Sequence, residues 1–114
     1  MVTYRNDLNV TPGGKHVDID LSQGDKDFTL IFDLYSVEGE LMIQSGSTVL
    51  MDGRHLADNS SFSINGTISG TVVTIPGDDS LTSVSGRAIG EVTITKSGKQ
   101  LSTSNIHFLI EPKA

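Results

Sequence analysis

The chain has 114 residues, a length typical of one domain, and it contains no cysteine, which excludes disulfide frameworks and thiolate metal sites. Its formal net charge of −6 argues against nucleic acids and anionic membrane surfaces as partners, because both require clustered lysine and arginine. No apolar run approaches the roughly 20 residues of a membrane-spanning helix.

Residues 1–14 are predicted to form an irregular N-terminal arm. They are polar and end in Thr11-Pro12-Gly13-Gly14, where proline and glycine disfavour a regular element. A strand is predicted from Lys15 to Leu21, because apolar and polar residues alternate there with a period of two. The residues predicted to face inward are Val17, Ile19 and Leu21.

The clearest strand is predicted from Asp27 to Tyr35. One face of this strand is wholly apolar, formed by Phe28, Leu30, Phe32 and Leu34. Leu41–Gln44 and Ser47–Met51 are predicted as short apolar segments that follow it.

Two dipeptides in the middle of the chain, Asp52-Gly53 and Asn65-Gly66, match the composition of tight hairpin turns. Arg54–Ser60 is then expected to be a polar loop or a single helical turn. Thr67–Ile75 is rich in threonine, valine and isoleucine and is predicted as one strand, which ends at Pro76-Gly77.

The C-terminal part predicts a ribbon of two strands, Gly86–Lys96 and Ile106–Ile110, with a turn at Ser97-Gly98. The polar stretch Gln100–Asn105 lies between them. In the last strand Ile106, Phe108 and Ile110 share one face and are expected in the core.

These elements predict an all-β domain over residues 15–111, with residues 112–114 as the start of a linker. About seven or eight short strands with frequent turns favour an antiparallel immunoglobulin-like β-sandwich, and a small barrel is the alternative. The chain has no cysteine pair and no tryptophan, so it is not an antibody-type domain.

No catalytic motif is present, and we predict neither an enzyme nor a cofactor. The serines lack the Gly-x-Ser-x-Gly spacing of a nucleophile elbow, and Gly13-Gly14-Lys15 leads into a strand instead of a phosphate-binding helix. The acidic run Asp18 to Asp27 does not match the spacing of an EF-hand. A solvated strand face is the favoured interpretation, with an irregular calcium site near Gly24-Asp25 as the alternative.

The three histidines, His16, His55 and His107, have no metal-binding spacing, and a zinc site would require the fold to bring them together. No metal-binding residue is therefore predicted, and His107 is expected at the surface or at an edge. Tyr35 is the candidate for an exposed ring that stacks on a sugar.

The chain resembles the N-terminal domain of the baseplate upper proteins of phages that infect Gram-positive bacteria. The resemblance runs from about Val17 to Glu111 and rests on the order and spacing of three segments: VDIDLSQGDKDFTLIF, SGSTVLMDG and GTVVTIPGDDSLTSVSGRAIGEVTITKSGKQLSTSNIHFLIE. Ile106 is a conservative departure, since the family commonly has phenylalanine there, and Gly90 stands where a small residue is usual.

The resemblance implies a non-enzymatic virion component in which this domain docks on the tail and baseplate core. Later parts of such a protein hold the receptor-binding protein, typically in trimers. The expected partners are other baseplate and tail proteins. Lys15–Leu21 and Gln100–Asn105 are the candidate docking edges. The alternative function is a carbohydrate-binding module that recognises a host cell-wall polysaccharide.

Overall fold

The structure is a computed structural model that describes residues 2–10, 15–37, 43 and 46–113. Within them, nine strands and one short helix follow one another along the chain. They are β1 (Val2–Asn9), β2 (Val17–Ser22), β3 (Phe28–Tyr35), β4 (Thr48–His55), β5 (Ser61–Ser69), β6 (Val72–Pro76), α1 (Asp79–Thr82), β7 (Gly86–Lys96), β8 (Lys99–Ser102) and β9 (Ile106–Glu111).

The strands form one curled sheet with the hydrogen-bonded order β1-β3-β6-β5-β4-β7-β9-β2, and β8 pairs with β7 beside this path. The two end strands, β1 and β2, lie against each other, so the sheet nearly closes into a barrel. The all-β prediction is confirmed, whereas the immunoglobulin-like sandwich is not. The expectation of a purely antiparallel sheet is wrong, because β1 pairs with β3 and β2 pairs with β9 in parallel.

The core lies inside the curled sheet and receives alternate side chains from the strands. The inward faces predicted for the second, third and last strands are confirmed. Ile19, Leu21 and the four apolar residues of β3 are buried, and Ile106, Phe108 and Ile110 are at most 1% exposed. Phe62 packs edge-on against Phe108, with ring centroids 6.2 Å apart.

The N-terminal segment departs from the prediction, because residues 2–9 form a strand. β1 pairs in register with β3 along its whole length, from Val2 opposite Phe28 to Asn9 opposite Tyr35. Leu8 is completely buried in the core. The expectation of an irregular arm is therefore wrong for these residues, whereas the Pro-Gly-Gly segment 11–14 lies outside the described residues. The domain limits at residues 15 and 111, and the start of a linker at residues 112–114, stay predictions.

Asp52-Gly53 does not form the predicted turn, because both residues lie inside β4. Gly53 is paired with Gly90 of β7. A Cβ atom on Gly53 would lie 2.7 Å from the Phe62 ring and 2.0 Å from the Ile89 carbonyl oxygen. The glycine therefore makes room for an aromatic ring on the inner face of a strand, which is a role that a turn composition does not predict.

Asn65-Gly66 also lies inside a strand, at the point where β5 changes its neighbour. Residues up to Gly66 pair with β4, and residues from Thr67 onward pair with β6. A Cβ atom on Gly66 would lie 2.4 Å from Ile75 Cδ1, so the close approach of β6 requires glycine. This bend is a barrel corner. The actual hairpin turn is at Gly70-Thr71, so the strand predicted over Thr67–Ile75 is two strands.

The remaining elements follow the sequence more closely. β7 has the predicted bounds, and Ser97 and Gly98 form the predicted turn with φ values of 51° and 78°. The segment after Pro76 contains α1, which Asp78 caps through a hydrogen bond from the Ser80 N–H. Of Leu41–Gln44, the described residues include Ile43 alone, so that predicted segment lies outside them.

Candidate functional site

Two strand edges were predicted as docking surfaces, and the structure gives them different surroundings. β2 is an end strand of the sheet, but β1 lies beside it. β8 pairs with β7, and within the described residues no other strand pairs with it. An edge strand with unpaired backbone groups is a template for a strand of another chain. We therefore take β8 and its surroundings as the candidate site.

The gap between β1 and β2 is bridged by residues that follow β8. The Ser104 N–H donates to the Asn9 carbonyl oxygen at 2.8 Å, and the Ser104 hydroxyl donates to the Lys15 carbonyl oxygen at 3.2 Å. The Val17 N–H donates to the Asn105 carbonyl oxygen at 3.2 Å. We call this region, where Ser104 joins the end of β1 to the beginning of β2, the seam.

Thr103 ties the seam to β7. Its hydroxyl accepts a hydrogen bond from the Val92 N–H at 3.0 Å and donates one to the Ser104 carbonyl oxygen at 3.1 Å, while its own N–H donates to the Val92 carbonyl oxygen at 3.0 Å. Thr103 and Ser104 are both 1% exposed. Two residues of the polar stretch Gln100–Asn105 therefore form a buried connector, and the edge strand is Lys99–Ser102.

The edge at β8 adjoins a small cavity of about 190 Å³ at the β7–β8 hairpin. Its apolar lining comes from Ile43, Ile94 and Leu101. Lys96 and Lys99 line it as well. This region, the basic corner, carries positive charge on a chain whose net charge is −6. It can accommodate an apolar side chain of a partner and attract neighbouring carboxylates.

The exposed face of β2 has the opposite charge. Asp18 and Asp20 alternate with the buried Ile19 and Leu21 and point to solvent. Charged residues on an end strand discourage non-specific pairing with other chains. The strand alternation also places these carboxylates in a row. The acidic run is therefore a solvated strand face in this part of the chain, as the sequence predicts.

Tyr35, the candidate sugar-stacking ring, lies at the end of β3 and is 39% exposed. Tyr4 is half-buried and packs edge-on against Phe28, with ring centroids 6.3 Å apart. Neither tyrosine lines the cavity at the basic corner or the groove along β4 and β7. The structure therefore supplies no aromatic platform in these two depressions.

Three aspartates have a pKa below the ordinary value of 3.8 because hydrogen bonds stabilise their carboxylates. The Arg5 guanidinium lowers the pKa of Asp33 with two bonds, Nε to Oδ2 at 2.8 Å and Nη2 to Oδ1 at 2.7 Å. The Ser60 hydroxyl lowers the pKa of Asp58, and the Ser80 backbone N–H lowers that of Asp78. All three carboxylates support local structure on β3 or in loops.

The fold brings together two histidines that the sequence separates by 91 positions, counted from His16 to His107. Their rings stack with centroids 4.0 Å apart. His55 lies elsewhere, 2% exposed against Phe62, with its Nε2 atom 2.9 Å from the Ser80 carbonyl oxygen. Sequence spacing missed the pair because it arises from the parallel contact between β2 and β9.

Comparison with solved structures identifies the fold. The chain has the fold of the N-terminal domain of phage TP901-1 ORF48. The TM-score is 0.72 at 14% sequence identity, and the match covers 97% of this chain and 99% of that chain. The resemblance to the N-terminal domain of phage baseplate upper proteins is thereby confirmed in its fold. No protein-family model matches the chain, and none of the curated proteins does.

Within the described residues, no helix is long and apolar enough to cross a membrane. The helix α1 has four residues.

Proposed function

We propose that this chain is a non-enzymatic structural domain of a phage tail baseplate, where it connects a receptor-binding assembly to the tail core. The observation that carries the proposal is the fold match, which spans nearly the whole of this chain and of a phage protein domain. The ordered sequence resemblance over residues 17–111 supports the same family independently.

The basic corner is the surface through which we expect the domain to dock. It combines a strand edge that pairs with no second strand in the described part of the chain, an apolar cavity and two lysines, Lys96 and Lys99. Main-chain pairing along β8 would supply affinity, and the cavity would select an apolar side chain. The lysines would select a partner segment that carries carboxylates. The partners are therefore other tail and baseplate proteins with an acidic, partly apolar strand.

The proposal places the chain in the virion, at the baseplate, after synthesis in the host cytoplasm. A homo-oligomer of the full-length protein, such as a trimer, belongs to the same proposal. Neither nucleic acid nor a membrane is among the proposed partners. The carbohydrate-binding alternative is left without a favouring observation, because neither tyrosine lines the two depressions described above.

Reconstitution tests the proposal. The purified domain is mixed with the tail proteins encoded beside its gene, and complexes are detected by size-exclusion chromatography with light scattering. We expect a complex at micromolar concentration with at least one of them. Absence of any complex at that concentration, or a gene neighbourhood without tail proteins, contradicts the baseplate assignment. A glycan array in parallel tests the alternative, which requires binding that Tyr35→Ala removes.

A further inference from the structure

The pairing of β2 with β9 places three metal-ligating side chains together on the outer surface. The two strands are parallel, and Asp18 is directly opposite His107. His16 precedes Asp18 by two residues, and side chains two apart on an extended chain point to the same side. The neighbouring residues Ile19, Ile106 and Phe108 are buried on the opposite side.

The distances within this cluster are short enough for one ion to contact all three side chains after small adjustments. One nitrogen of each histidine and one oxygen of Asp18 lie within 4.8 Å of one another. His16 Nε2 is 3.4 Å from Asp18 Oδ2. The two imidazole rings are stacked at 14° to each other. Since an imidazole binds a metal in its ring plane, the rings must tilt apart, and the partial exposure of both leaves room for this.

The chemistry of this set selects the class of ion. Two imidazole nitrogens and one carboxylate oxygen are a common donor set for Zn²⁺, with water completing a tetrahedral site. Calcium and magnesium prefer sites made wholly of oxygen ligands. The side chains of His16 and Asp18 are 48% and 71% exposed, so an ion reaches them directly from solvent.

We propose that His16, Asp18 and His107 form a surface site for a divalent transition metal, of which Zn²⁺ is the best match. A bound ion would connect the residue before β2 to β9. This link lies beside the seam, where the Ser104 hydroxyl already holds the Lys15 carbonyl oxygen. Because the site exists in the folded chain and not in the unfolded one, metal binding would also raise the melting temperature.

Isothermal titration calorimetry with ZnSO₄ on the tag-free chain at pH 7.5 tests the site. We expect one ion per chain, and at least ~10-fold weaker binding in each of the variants His16→Ala and His107→Ala. Asp18→Asn should weaken binding as well. Asp20→Asn is the matched control, because Asp20 is exposed on the same face of the same strand and has the same charge but is absent from the cluster.

A second measurement separates loss of the site from loss of the fold. Circular dichroism should show that all four variants remain folded, since the replaced side chains lie on the outer surface. In the unmodified chain, Zn²⁺ should shift the amide resonances around residues 16–18 and 107, whereas Ca²⁺ should not. The site is refuted if ~100 μM Zn²⁺ produces no detectable binding, because a dissociation constant above about 100 μM means only weak association. The site is also refuted if His16→Ala and His107→Ala bind Zn²⁺ as strongly as the unmodified chain does.

Discussion

The seam and the basic corner show two treatments of the same structural problem, a strand whose backbone groups lack a partner in the sheet. At the seam, Ser104 and Thr103 supply hydrogen bonds to β1, to the beginning of β2 and to β7, and they are buried. At the basic corner, β8 carries an apolar cavity and two lysines. From this difference we propose that the seam stabilises the barrel and that the corner is the surface that receives a partner.

This comparison predicts that the two regions can be impaired separately. Substitutions at the seam should lower the free energy of unfolding and leave the docking affinity of the folded fraction unchanged. Substitutions at the basic corner should lower the docking affinity and leave the free energy of unfolding unchanged. A single variant that changes both quantities strongly would contradict the division.

The largest expected effect is at the N-terminal strand that forms one side of the seam. Leu8→Ala removes a completely buried side chain and leaves a cavity, so the free energy of unfolding should fall by about 2–5 kcal/mol. Urea denaturation followed by circular dichroism measures it. Val2→Ala on the same strand is the control, because Val2 is 55% exposed. If Leu8→Ala behaves like Val2→Ala, β1 is a detachable arm after all.

The next effect concerns the polar connector. Thr103→Val removes the hydroxyl that accepts from the Val92 N–H and leaves that buried donor without its partner. The free energy of unfolding should fall by about 1–3 kcal/mol, although the side-chain volume hardly changes. Thr3→Val provides the control at an exposed strand position. If the two variants are equally stable, the Thr103 hydroxyl does not stabilise the seam.

Charge reversal at the corner tests the docking surface. The double variant Lys96→Glu and Lys99→Glu should weaken binding to the reconstituted tail partner at least ~10-fold, because it places like charges against an acidic segment. Its unfolding free energy should change by less than about 0.5 kcal/mol per surface substitution. Asp18→Lys with Asp20→Lys is the matched reversal on β2. A greater loss of binding from the β2 variant would assign docking to that strand instead.

The smallest effect is the acid sensitivity of the hydrogen-bonded aspartates. The pKa of Asp33 is lowered by Arg5, and those of Asp58 and Asp78 by Ser60 and Ser80. A carboxyl group whose pKa is lower in the folded state stabilises the fold at pH values above its ordinary pKa of 3.8. That stability is lost as the pH falls through the lowered value. Melting temperatures measured from pH 6 to pH 2 should decline in this acidic range, and less steeply in Asp33→Asn.

The sequence predicts strands well where alternation is regular and bounded by turns. β7 begins and ends as predicted, and the inward face of β9 is correct. The two misplaced turns have a common physical origin in glycine. Gly53 and Gly66 serve close packing against Phe62 and Ile75, whereas their neighbours Asp52 and Asn65 suggest turns. Local composition does not distinguish a glycine that permits a turn from one that permits close contact between neighbouring strands.

Long-range pairing explains what else the sequence did not predict. β1 is polar, with Leu8 as a single deeply buried side chain, and it gains its strand structure from β3. The contact between His16 and His107 likewise arises from strands at distant positions in the chain. In contrast, the stretch predicted as an edge, Gln100–Asn105, overlaps β8 in its first three residues, because its polarity and the preceding turn are local features.

The most direct test of the baseplate assignment is a cryo-electron microscopy reconstruction of the tail tip of the phage that encodes the chain. We predict density for this barrel at the baseplate, with β8, Lys96 and Lys99 in contact with an acidic segment of a neighbouring tail protein. A complete reconstruction of the tail in which the barrel is absent, or in which β8 faces solvent while another surface makes the contact, would contradict the account.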